Sequence, residues 1–146
     1  MFPRIPEWAI AMVGALKIGA IPIPCIEMLT ARDIEYRVRN ADAKAAVCRA
    51  TEVHKFAGVV DQMPVRFALG PAAGWLDFAN EMTSASAELT PTQTKGSGDH
   101  VRHVRIDRHP KAVVHAARAL YAWRVSAIYW LDLRPSERIW CTADTG

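Results

Sequence analysis

The chain has 146 residues, enough for one domain with a sizeable core. Hydrophobic residues make up 51% and charged residues 23%, which is globular and excludes a disordered chain. A net charge of +3 is too mild to write a nucleic-acid or membrane role into the whole surface.

An apolar run from Trp8 to Leu16 follows Arg4. Lys17 interrupts it, Pro22 and Pro24 follow, and a proline precedes Cys25, so the small-residue cleavage site of a signal peptide is missing. The run is also too short to span a bilayer. "PEWAIAMVGALKIGA" predicts a helix over 7–19 that is buried on most sides, with Glu7 and Lys17 matching the helix dipole and Gly19 as its stop. "IPIPC" reads as a short extended segment suited to a sheet edge.

"LTARDIEYRVRNADAK" carries a strong helix start for 31–41. Thr30 is a good N-cap, Asp33 sits in the capping-box position, and Leu29 and Ile34 are spaced as a hydrophobic staple. Ile34, Val38 and Ala41 form the apolar face.

Further on, "AAVC" and "VRFAL" are strand candidates, and "TEVHKFAGVV" is a short helix candidate. "GWLDFANEMTSAS" reads as an amphipathic helix with Trp75 and Phe78 on one side. Residues 88–100 form a polar surface loop, 117–130 a helix, and "ERIWCTAD" a last strand. The alternation predicts an α/β fold with helices packed on a mostly parallel sheet. Trp8, Met12, Leu16, Ile34, Val38, Leu120 and Trp123 are the expected buried set. Cys25, Cys48 and Cys141 are far apart and lack CxxC spacing, so free thiols in a reducing cytoplasm are expected.

"DHVRHVRIDRHPKAVVH", residues 99–115, holds four of the five histidines. His100, His103, His109 and His115 match no compact metal spacing, and no acid or thiol completes a site. Arg102, Arg105, Arg108 and Lys111 suit phosphates, but no aromatic is interleaved for base stacking. A solvated basic strand or loop is the plain reading; a non-catalytic module that binds nucleic acid or another polyanion through 100–111 is the alternative function.

The flanks carry a resemblance. "FPRIPEWAIAMVGALKIGAIPIP", "TARDIEYRVRNADAKAAVC" and "HPKAVVHAARALYAWRVSAIYWLDLRPSERIWCTADTG" resemble the AMP-forming acyl-CoA synthetases of the adenylate-forming ligase superfamily, closest to the medium-chain branch. That family places a phosphate loop of the form TSGSTG-x-PK where this chain reads "HVRIDR" followed by "HPK". The resemblance puts Lys111 near the ATP phosphates, and makes His103, Val104, Arg105, Ile106, Asp107 and Arg108 a degraded phosphate loop.

The genetic code accounts for the difference. His103 to Arg108 can be written CAC GTC CGG ATC GAC CGG. One base later the same string reads Thr-Ser-Gly-Ser-Thr-Gly, and the frame returns at "HPK". The stretch is thus expected to be a locally frame-shifted loop, bounded by two compensating single-base changes.

By the resemblance, the complete enzyme activates a carboxylic acid with Mg-ATP through an acyl-adenylate, and coenzyme A then takes the acyl group as a thioester. "TADTG", residues 142–146 and including Asp144, resembles a second family segment. The remaining family machinery follows it, including a mobile C-terminal domain with a catalytic lysine. Residues 1–146 are therefore expected to be a partial N-terminal AMP-binding domain, lacking its first strands and the C-terminal domain. No catalytic residue or metal ligand is expected within it, nor activity, bound cofactor or membrane partner; its expected location is cytoplasmic.

Overall fold

The computed structural model describes residues 1–89, 100–105, 111–116 and 119–139, with the side chains of 100–105, 111–116 and 120 excepted. Two units emerge: one holds residues 1–14 and 24–89, the other residues 15–23 and the described residues from 100 onward.

The first unit is built on a parallel three-stranded sheet, order β1-β2-β3, with β1 Ala45–Arg49, β2 Val65–Leu69 and β3 Leu76–Asp77. The register pairs Ala45 with Val65 through Arg49 with Leu69, and Phe67 with Leu76. Parallel strands need a crossover, and Ala50–Gln62 supplies it. This crossover was expected to be an ordinary helix, but is a run of tight 3₁₀ turns. Arg49 at its N-cap gives no side-chain hydrogen bond. The run also contains Gly58 and the β-branched Thr51, Val53, Val59 and Val60, all poor helix formers.

Helix α2, Ala31–Ala41, begins as the sequence dictates. The Thr30 hydroxyl accepts from the Asp33 N–H at 3.3 Å, and Asp33 Oδ2 accepts from the Thr30 N–H at 2.9 Å. The helix ends where Asp42 takes a left-handed conformation at φ 49°. Ile34 and Val38 then meet Ala46, Cys48, Phe56, Val59 and Met63 in one core, with Leu29 and Trp75 packed at its margin. Cys48 and Met63 are fully enclosed.

The expected helix through Trp75 starts later. Gly74 turns the chain at φ 75°, Leu76 and Asp77 pair with β2, and α3 runs Phe78–Ser84. Asp77 caps it, accepting from the Asn80 N–H at 2.9 Å. Phe78 stands edge-on to Phe2 and Phe67, with ring centroids 5.8 and 6.4 Å away.

Helix α1, Pro6–Lys17, starts one residue before the predicted 7–19 span and stops two short of its end, and Gly19, at φ 73°, follows it with its N–H on the Leu16 carbonyl. Its expected burial is corrected. Trp8, Met12 and Leu16 are only half-buried, and Ile10 and Val13 are 44% and 52% exposed. A helix apolar all round needs neighbours on every side, and the described residues supply too few. "IPIPC" pairs with no strand among the described residues.

In the second unit, β4 His100–Arg105 and β5 Lys111–Ala116 form an antiparallel two-stranded sheet, and α4 runs Ala119–Tyr129. The fold is therefore α/β with its parallel sheet as expected, plus an antiparallel ribbon. Trp123 is exposed at 50%, another correction; Tyr129 and Trp130 are more open still, at 83% and 81%. The side chain of Leu120, residues 140–146 of the expected last strand with Cys141 and Asp144, and 90–99 of the expected surface loop lie outside the described residues. Among the described residues, no helix is long and apolar enough to cross a membrane.

Candidate phosphate-loop hairpin

The described residues among those singled out in sequence fall on one antiparallel pair of strands. His103, Val104 and Arg105 are the last three residues of β4, and Lys111 is the first of β5. Ile106, Asp107 and Arg108, with His109 and Pro110, lie outside the described residues. The register brings Arg105 opposite Lys111, His103 opposite Val113 and Val104 opposite Ala112. The sequence had set Arg105 and Lys111 six positions apart; pairing makes them cross-strand neighbours.

A phosphate nest works through successive backbone N–H groups turned toward one anion. Glycines permit the close approach and the positive φ it uses, and Ser or Thr hydroxyls add donors. "HVRIDR" supplies none of these residue types. Half of it, His103–Arg105, is extended strand whose backbone is paired to β5. The donor set therefore does not fit a nucleotide phosphate tail held by backbone.

The first unit holds a polar cluster that sequence reading missed. Lys55 Nζ donates to the Glu27 carbonyl at 2.6 Å and lies 2.5 Å from Glu52 Oε2. Arg49 Nη1 lies 3.6 Å from Glu27 Oε1. Glu52 and Lys55 stand three apart and were findable as a helical-type pair; Glu27 is remote in sequence and gave no signal. Hydrogen bonding by Lys55 holds the Glu52 carboxyl below its ordinary range. Burial pushes the Cys25 thiol up and the Cys48 thiol to about 11. Both are free and, so protonated, poor nucleophiles. The cluster ties residues 24–30 to the crossover, and nothing in its geometry points to chemistry.

A parallel three-stranded sheet with helices and a 3₁₀ crossover packed on it, plus a separate antiparallel ribbon, defines the class as an α/β scaffold. The sequence profile of the AMP-binding enzyme family matches residues 1–101. Acyl-coenzyme A synthetase ACSM4, mitochondrial, of Homo sapiens is 30% identical over 154 residues, covering 100% of this chain and 27% of the relative. The uncharacterized acyl-CoA ligase YtcI of Bacillus subtilis is 30% identical over 151 residues, 28% of its length. The crystal structure of the Brucella canis acyl-CoA synthetase superposes with a TM-score of 0.87 at 30% identity, over 98% of this chain and 27% of that one. The anthranilate CoA ligase AuaEII, at 20% identity and a TM-score of 0.74, shares the fold. The chain belongs to the AMP-binding enzyme family, and spans roughly a quarter of the length of these acyl-CoA synthetase relatives.

Proposed function

We propose that this chain is the N-terminal part of an AMP-forming acyl-CoA synthetase whose phosphate loop is recoded at residues 103–108, and that it does not turn over as written. The observation that carries the reading is "HVRIDR" standing directly before "HPK", where the family has Thr-Ser-Gly-Ser-Thr-Gly. The end of the family-profile match supports it: the match stops at residue 101, two positions before His103. Alignment to relatives nonetheless continues over the whole chain, so the interruption is local.

In the full-length parent, the chemistry is activation of a carboxylic acid with ATP and Mg, followed by transfer of the acyl group to coenzyme A. The present residues supply the scaffold and Lys111. The glycines and hydroxyls that build such a nest are absent from "HVRIDR", so no step of that reaction is routed through residues 103–108. Preorganised donors of this kind are worth about 10²–10³ in rate each, and here the whole set is replaced. Unpaired Cys25 and Cys48 suit a reducing compartment such as the cytoplasm.

The test is ATP–pyrophosphate exchange with butyrate, octanoate and benzoate. The chain as written is expected to give no acid-dependent exchange. Restoring the loop by His103→Thr, Val104→Ser, Arg105→Gly, Ile106→Ser, Asp107→Thr and Arg108→Gly returns backbone donors and is expected to tighten ATP binding. Acid-dependent exchange by the original chain overturns the reading.

A further inference from the structure

Residues 24–28, Pro-Cys-Ile-Glu-Met, join the extended "IPIP" stretch to the N-cap of α2 at Thr30. Little main-chain bonding holds them. Pro24 has no backbone N–H to give. Among the described residues, their backbone–backbone hydrogen bonding comes down to one long contact, from the Leu29 N–H to the Ile26 carbonyl at 3.4 Å. Met28 is exposed. A segment with so few backbone bonds opens locally, at less cost than unfolding the whole core.

Glu27 is where the segment is held, at two points. Its carbonyl accepts from Lys55 Nζ at 2.6 Å, and its Oε1 lies 3.6 Å from Arg49 Nη1. Glu52, three residues before Lys55, aims the ammonium from 2.5 Å away. Arg49 ends β1, and Glu52 and Lys55 belong to the crossover, so both ties come from the framework of the first unit. The ties are unequal. The Lys55 side chain is largely shielded, and a charged donor there holds a carbonyl firmly. The Arg49 pair is longer and more open to solvent, and contributes little. Downstream, Leu29 packs at the core margin and the Thr30–Asp33 box fixes the start of α2, so an opening that begins at Glu27 stops there.

We propose that residues 24–28 form a strap latched by Lys55, which opens as a unit while the core beneath stays folded. The proposal goes beyond the family reading and uses only contacts within the first unit. Two thiols separate the two events. Cys25 lies on the strap and is half-buried, whereas Cys48 lies on β1 and is fully enclosed. Strap opening frees Cys25 alone; loss of the core frees both.

The experiment is labelling of the full chain with N-ethylmaleimide at neutral pH over a series of low urea concentrations, each site assigned by peptide mass. Cys25 is expected to react roughly tenfold or more faster than Cys48, at a rate nearly flat in urea, because opening the strap exposes little surface. The Cys48 rate rises steeply with urea. Lys55→Met is expected to speed Cys25 labelling roughly ten- to hundredfold. Glu52→Gln keeps the ammonium but weakens its aim, and speeds Cys25 by a smaller factor. Arg49→Gln, and Lys44→Met at the exposed pair with Asp42, leave the rate within about twofold. Where Lys55→Met loses the core, Cys48 labels as fast as Cys25, and Glu52→Gln then carries the test. Equal rates and equal urea slopes for Cys25 and Cys48 in the parent chain overturn the strap. An unchanged Cys25 rate in Lys55→Met and Glu52→Gln overturns the latch, as does an equal gain in Lys44→Met.

Discussion

Replacing Lys55 by methionine isolates the polar tie in the first unit. The substitution keeps most of the apolar stem and deletes the ammonium. Two contacts go with it, the hydrogen bond to the Glu27 carbonyl at 2.6 Å and the pair with Glu52 at 2.5 Å. Both side chains of that pair are shielded, Lys55 at 19% and Glu52 at 18% exposure, so the pair is not a surface ornament. Hydrogen bonds to charged groups contribute about 1.5–3 kcal/mol, and an enclosed carboxylate left without its partner adds to the loss. Lys55→Met is therefore expected to cost about 2–3 kcal/mol. The double variant Lys55→Met with Glu52→Gln loses less, because no unpaired charge remains. The pH dependence carries the same signature. Lys55 lowers the Glu52 pKa in the folded state, so its stabilisation is present above the usual carboxylate range and lost as pH falls through the folded value. Lys55→Met flattens that acid limb. The assay is urea unfolding followed by tryptophan fluorescence at dilute protein, at neutral and acid pH. A loss under about 0.5 kcal/mol, or an unchanged acid limb, refutes the reasoning.

Thr30→Ala removes the N-cap acceptor of α2 and is expected to cost about 1 kcal/mol in the same assay. The Thr30 hydrogen bonds also hold the Asp33 carboxyl below its ordinary range, so this contribution too fades only as pH falls below that range, and Thr30→Ala brings the fading to higher pH. With Tyr121, Trp123, Tyr129 and Trp130 open on α4 and just beyond it, the chain is expected to bind a hydrophobic dye and to self-associate on concentration; a monomer that ignores the dye and melts reversibly above about 65 °C contradicts this.

What sequence alone made legible follows physical lines. Local chemistry read correctly: Thr30 and Asp33 form the capping box they spell, Gly19 stops α1, and "AAVC" and "VRFAL" pair as parallel strands. Context read poorly. The apolar run of α1 implies burial, yet burial depends on what covers the helix, which no local pattern encodes. Trp75 has helical spacing with Phe78, but Gly74 and the Asp77 cap delay the helix, and Asp77 was the signal to weigh. The candidate site was legible as a motif and as a charge run. The pairing of Arg105 with Lys111 was not, because cross-strand register joins residues that no local pattern links.

The central claim is that residues 103–108 are an AMP-binding family phosphate loop read one base out of frame. Sequencing the gene across these codons tests it directly. Reading from the second base of the His103 codon should give Thr-Ser-Gly-Ser-Thr-Gly, with the family frame regained at the codons for Pro110 and Lys111. A nucleotide sequence in which neither shifted frame encodes that loop contradicts the account.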